Sequence, residues 1–211
     1  MKNKSTLIAI IFFGALWGFS EATLGFAFHA LSGIVPGIAG LFMFPIGFYF
    51  MARVFRETGS VRAVFATSAV TAAIKLADLA IPFLTPASTI NPAIGILLEG
   101  AAAAVFLNLV DIRKPALNLF GTLAISGSWR LIFVGILALL SPDIGILAAG
   151  TPVVIRFLVI DAIANGLLIS AYLRFRNPQR VWVPSVSKLR PSLAIVALIA
   201  ALGAELGTRL I

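Results

Sequence analysis

Residues 116–140 read ALNLFGTLAISGSWRLIFVGILALL, an apolar run interrupted by one charge, Arg130. At ~1.5 Å of rise per residue such a run crosses the ~30 Å hydrocarbon layer of a bilayer as a helix. A lipid-facing helix would carry no guanidinium there, because a charge in hydrocarbon costs at least ~2.5–3.5 kcal/mol. The stretch therefore points to a membrane span that turns one side towards protein or water. Six more apolar runs of similar length, all but the second carrying ionisable residues, give expected spans at 6–28, 34–52, 63–83, 91–110, 116–140, 150–173 and 192–210. Backbone groups in lipid must be satisfied within the segment, so the fold class is all-α, a polytopic membrane bundle of about seven helices, six plus a C-terminal extra.

Composition agrees. Of the 211 residues 60% are hydrophobic and 11% charged, with a mean hydropathy of +1.07, against ~45–50% apolar residues in a soluble domain. The longest polar segment, about 174–191, is too short to bury a core, so residues 1–211 form one integral membrane domain. The apolar run after Lys2 and Lys4 continues past Trp17 without a signal-peptide cleavage pattern and is read as the first span. Turn residues separate the spans, among them Ser32-Gly33, Thr58-Gly59-Ser60, Thr85-Pro86 and Ser141-Pro142.

Of the sixteen Lys and Arg residues, twelve fall at alternate connections: Lys2, Lys4; Arg53, Arg56, Arg62; Arg113, Lys114; Arg174, Arg176, Arg180, Lys188 and Arg190. The intervening connections, around 29–33, 84–90 and 141–149, have none. The positive-inside rule then sets the N-terminus in the cytoplasm and, after seven crossings, the C-terminus outside, as expected of a protein of a prokaryotic cytoplasmic membrane. The net charge of +8 is accordingly read as topology and contact with anionic lipid head groups, with no nucleic-acid partner.

The candidate ligand-binding residues are the ionisable groups inside the spans: Glu21, Lys75, Asp78, Glu99, Arg130, Arg156 and Asp161. Given the orientation, all seven are expected in the outer half of the bundle, near electroneutrality, around a polar cavity. Helical spacing places Gly14, Gly18, Glu21 and Gly25 on one stripe, and Lys75 with Asp78 at i,i+3. Asn91-Pro92 is expected at the cavity mouth, and Ser126 and Asn165 as second polar contacts of Arg130 and Asp161. Trp17 and Trp129 are candidate wall residues, with Trp182 and Tyr172 at the inner interface. Arg156 and Asp161, five apart, are offset by ~140° on an α-helix and are expected to face different neighbours. Glu205 and Arg209 at i,i+4 are expected to neutralise each other, and His29 to lie at the outer boundary. The second span, with Pro36, Gly37, Gly40, Pro45 and Gly47, is expected to be bent or broken, possessing the make-up of an outer gate. The plainer account of every one of these charges is mutual compensation between helices.

Several chemistries have no residues to support them. No phosphate-cradling G-x-x-x-x-G-K-[ST] occurs, no G-x-S-x-G surrounds Ser128, and no H-E-x-x-H is present. With no Cys and a single His, neither thiolate metal sites nor bis-His haem can form, so no metal, cofactor or enzymatic activity is expected.

The size of the chain and the Gly14/Gly18/Ala22 small-x-x-x-small ridge resemble the substrate-capture (S) subunit of energy-coupling-factor (ECF) importers, a likeness that covers the first six spans. It implies uptake of a small solute, a membrane-embedded coupling subunit and two ATPases as partners, docking on the ridge, and release by toppling of the whole subunit. Read from the residues alone, two alternatives stand beside a solute-uptake protein: a proton- or cation-coupled secondary transporter or channel, with Glu21, Glu99 or Asp161 changing protonation, and a structural or assembly subunit.

Overall fold

The computed structural model describes residues 2–31, 38–110, 115–140, 143, 145–175 and 189–210. These residues are helical with no strand. Seven helices are long and apolar enough to cross a membrane. We label them α1 (2–31), α2 (Ile38–Thr58), α3 (Val61–Ala80), α4 (Pro86–Leu109), α5 (Pro115–Leu140), α6 (Thr151–Phe175) and α7 (Pro191–Arg209). Pro36, Gly37, the Ser32-Gly33 turn, Trp182 and the cluster Arg176, Arg180 and Lys188 lie outside the described residues, as do Arg113, Lys114 and the His29 side chain.

The helices start where local chemistry favours it. Proline stands in the first turn of α4, α6 and α7, where its missing N–H is one that no helical carbonyl would accept. Gly59, at φ +63°, ends α2 in the left-handed conformation, and the Ser60 hydroxyl caps α3 by accepting from the Ala63 N–H at 3.3 Å. The expected connection over 53–62 thus shrinks to two residues. Arg53 and Arg56 extend α2: Arg53 pairs with Glu57 at 2.9 Å, and Arg56 donates to the Tyr172 hydroxyl on α6 at 3.2 Å. The helix also runs without interruption through Pro45, so over its described residues the second span is not broken there.

Small residues let the helices approach one another closely, the packing that suits a bundle surrounded by lipid. Gly14 faces α3 so tightly that a Cβ there would lie 2.8 Å from Val70 Cβ and 2.9 Å from the Thr67 carbonyl oxygen. Beside it the Thr71 hydroxyl donates to the Gly14 carbonyl at 2.9 Å. Gly18 meets Ile74 in the same way, Gly47 meets the Trp17 ring, and Gly166 on α6 meets Leu123 on α5. The Gly14/Gly18 stripe is therefore covered by α3 of the same chain, and is not an open ridge for another subunit. Gly14→Ala is expected to cost about 1–3 kcal/mol, because the clash includes backbone. Gly127→Ala, where an added Cβ meets nothing within 4 Å, should be near neutral in the same unfolding titration in mild detergent.

An aromatic and aliphatic centre, with Trp17, Phe44, Phe48, Met51, Phe106, Trp129 and Ile169, joins α1, α2, α4, α5 and α6. The exterior is apolar as well: Leu139 is 86% exposed, Phe120 72% and Ile199 64%. Exposed bulk of this kind around a bundle suits a hydrocarbon solvent. Half of the span residues of α2, α3 and α4 are buried, against 17% in α7, which makes α7 a peripheral helix laid along α1.

Candidate functional site

Two of the helices contain a wide turn with i→i+5 hydrogen bonds, and each begins on an ionisable residue. One is Glu21–Gly25 in α1, the other Arg156–Ile160 in α6. Such π-turns recur at functional sites, and they alter which residues share a face. In α6 the wide turn brings Arg156 Nε to 3.7 Å from Asp161 Oδ1, correcting the ~140° separation expected from ordinary helical geometry. In α1 it turns both Glu21 and Phe26 towards one cavity.

That cavity has a volume of ≈ 500 Å³, within the ~300–1,000 Å³ of small-molecule sites. It lies at the end of the bundle formed by the last turns of α1, α3 and α7 and the first turns of α2 and α4. Glu21, Phe26, Met43, Lys75, Asn91 and Arg209 supply its chemistry, with Ala22, Ala39, Ser88, Pro92 and Gly145 completing the wall. Asn91-Pro92 thus sits at the cavity as expected, although α4 starts five residues earlier than the reading of the sequence placed it, at Pro86.

Behind this wall lies a network of four charges. Lys75 Nζ donates to Asp78 Oδ2 at 3.1 Å and also to Glu205 Oε1. Arg209 Nε donates to the same Asp78 oxygen at 3.0 Å, and stands 3.8 Å from Glu205 Oε1. Asp78 is fully buried and Glu205 is 1% exposed. The expected pairing of Glu205 with Arg209 is present at 3.8 Å and is shared across helices: Glu205 also takes Lys75, and Arg209 also takes Asp78. An ammonium has three donors, so Lys75 retains one for the cavity it lines.

Arg130 belongs to a second cluster, away from the cavity. Its Nη1 donates to the Ser126 carbonyl at 2.8 Å, and its Nη2 to Asn165 Oδ1 at 2.6 Å and to the Gly40 carbonyl at 3.1 Å. Asn165 Nδ2 donates in turn to the Leu41 carbonyl at 2.7 Å and to Gly40 at 3.2 Å. The guanidinium carbon sits 4.4 Å from the Trp129 ring centre and 5.1 Å from that of Phe157, a desolvated cation–π arrangement. Gly40 is what admits Asp161, whose Oδ2 lies 3.1 Å from where a Cβ would be. The first turns of α2 thus divide the two regions, with Ala39 and Met43 on the cavity and Gly40 on the Arg130 cluster.

Two carboxylates stand between the clusters. Glu21 Oε1 accepts from the Trp17 indole N–H at 3.0 Å, and its other oxygen has no hydrogen-bond partner among the described residues. Glu99 is 7% exposed, and its buried Oε2 has no partner either. It lies within electrostatic reach of Glu21 and Arg130, yet neither carboxylate has a cation within 4 Å among the described residues. Protein-family models, curated proteins and solved structures all contain nothing that matches this chain. Geometry must carry the functional reading.

Of the seven candidate ligand residues, Glu21 and Lys75 line the cavity directly and Asp78 holds Lys75. Glu99, Arg130, Arg156 and Asp161 are not on its wall. Reading the sequence missed Arg209, because its short-range pairing with Glu205 looked self-sufficient, and Phe26, because the π register that turns it inward leaves no mark in the spacing. Among the described residues no three His, Asp or Glu side chains gather as a metal-holding group.

Proposed function

We propose that the chain is a multi-pass protein of a prokaryotic cytoplasmic membrane, N-terminus in the cytoplasm and C-terminus outside, that captures a small polar or charged solute for uptake. The observation that carries the reading is the ≈ 500 Å³ cavity with Glu21, Lys75, Asn91 and Arg209 on its wall, in a bundle that exposes many large apolar side chains elsewhere. Hydrophilic groups facing a void at one end of a membrane bundle are the usual substance of a solute site. The cavity adjoins Thr85, Ser88 and Gly145, in or beside the connections that lack Lys and Arg, while Arg53, Arg56, Arg62, Arg174 and Arg190 occupy the opposite ends of their helices. By the positive-inside rule this opens the site to the outer face.

The chain is free of native Cys, which permits a direct test. Ser88→Cys, on the exposed first turn of α4, should react with a membrane-impermeant maleimide in intact cells, and Arg62→Cys only after permeabilisation. Labelling with the reverse dependence would place the cavity on the cytoplasmic side and remove outward capture.

With no phosphate loop in its sequence, the protein depends for energy on another source. The ECF likeness supplies one answer, a coupling subunit with two ATPases, which would have to dock somewhere other than the Gly14/Gly18 stripe, since α3 occupies it. The second answer is an ion gradient, and the cation-free pair Glu21 and Glu99 favours it, carboxylates of this kind being the working parts of proton relays.

A further inference from the structure

We infer that the solute is a small organic cation, a protonated amine or quaternary ammonium, held between the Glu21 carboxylate and the face of the Phe26 ring. The inference rests on the reading of the cavity as a solute site. It follows from which charges there are already engaged. Among the described residues, three carboxylates, Glu21, Asp78 and Glu205, and two cations, Lys75 and Arg209, stand on or just behind the cavity wall, a formal balance of −1. Both cations are committed to the two buried acids, Asp78 and Glu205. Glu21 has only the Trp17 N–H on one of its oxygens, and neither Glu21 nor Glu99 has a cation within 4 Å among the described residues. An incoming anion would have to share Lys75 or Arg209 with Asp78 and Glu205, whose charges already offset both cations, and would bring a further negative charge beside Glu21. The carboxylate of a zwitterion meets the same obstacle. A monocation meets none and supplies the missing charge.

The neighbours of Glu21 on the wall fit this ligand. Phe26 comes to the cavity through the wide turn Glu21–Gly25, and an aromatic ring on the same wall as a carboxylate supplies the two groups by which ammonium ions are recognised. Met43 offers a polarizable, adaptable surface for the ligand's carbon chain. Asn91 and the spare donor of Lys75 remain for a hydroxyl or carbonyl elsewhere on the solute.

The test uses the purified full-length protein in detergent at fixed ionic strength, with n-butylammonium, tetramethylammonium, 4-aminobutyrate, butyrate and butanol as probes. One of the two ammonium probes should raise the Tm by about 5–10 °C at ~100-fold excess over its Kd, and butyrate should leave it unchanged. Glu21→Gln should abolish the shift. Phe26→Leu, at a position 41% exposed and therefore tolerant, should weaken binding by about 2- to 30-fold while Phe26→Tyr preserves it. Those two variants keep the proposal testable if Glu21→Gln does not fold. Tighter binding of butyrate or 4-aminobutyrate than of either ammonium overturns the cation assignment and leaves the outward solute site standing. Equal binding by Phe26→Leu and Phe26→Tyr overturns the ring contact. No shift with any probe overturns the inference as well, and failure of external Ser88→Cys labelling is what would overturn the solute site itself.

Discussion

Asp78→Ala should lower the stability of the bundle by about 3–5 kcal/mol, measured by unfolding in mild detergent. Asp78 is fully buried, and a single oxygen of its carboxylate accepts from both Lys75 and Arg209. Its removal leaves Glu205 as the remaining acid near two cations, one of which is itself buried. The loss comes chiefly from the uncompensated charge left behind, since an intact buried ion pair is worth little over an apolar substitute. A double variant, Lys75→Met with Asp78→Leu, should therefore recover most of the stability, because Glu205 and Arg209 at i,i+4 can then satisfy each other. A single variant costing under ~1 kcal/mol would show that the four charges are not the clamp that ties α7 to α3.

Arg130→Ala should be comparably damaging, at about 3–5 kcal/mol, and Arg130→Lys should rescue less than half of that. The guanidinium is fully buried and its two terminal nitrogens reach three acceptors on α2, α5 and α6 while its plane rests on Trp129 and Phe157. Alanine would leave Asn165 Oδ1 without its donor and the Gly40 oxygen with only that of Asn165, and would open a void beneath two rings. An ammonium is a point charge on a flexible stem, and cannot span a fork of acceptors arranged for a planar group. Thermal unfolding of the three proteins side by side measures this, and equal Tm values for Lys and Arg at position 130 would refute it. The expected effect is on folding. Because Arg130 stands off the cavity wall, residual folded Arg130→Lys protein should bind n-butylammonium with unchanged Kd.

Much of the architecture was legible from hydropathy, since a bilayer imposes one length and one hydrogen-bonding solution on every crossing. The ends were less so. α2 continues six residues beyond its expected limit at 52 because Arg53 and Arg56, which look like connection residues, are carried by an ion pair to Glu57 and a bond to Tyr172. The start of α4 was hidden by Pro86 and Pro92, which read as loop punctuation but are accommodated in the first turn and within the helix. The site was half legible. Charge inside an apolar run marked Glu21 and Lys75, and helical spacing paired Lys75 with Asp78. What spacing cannot reveal is a change in the helical repeat: the wide turns at Glu21 and Arg156 each shift the faces downstream, uniting Arg156 with Asp161 and bringing Phe26 to the cavity. Nor does sequence separation indicate that Asn165, rather than any acid, receives the charge of Arg130.

The exchange of partners between α3 and α7 bears on how the protein is made. In the membrane setting proposed above, a ribosome would deliver the spans in order, and α3 would enter the bilayer long before α7 exists. It does so with its lysine and aspartate adjacent, as a nearly neutral unit, and α7 later arrives with its own acid and base one helical turn apart. Each newcomer brings its counter-ion along, which lowers the toll of insertion, and only when the two meet do the four groups trade neighbours and lock. Glu21, Glu99 and Arg130 travel without such an escort. For these three, entry into lipid would await the helices that shelter them, and the first, fourth and fifth segments would then be the ones that cross last to a settled position.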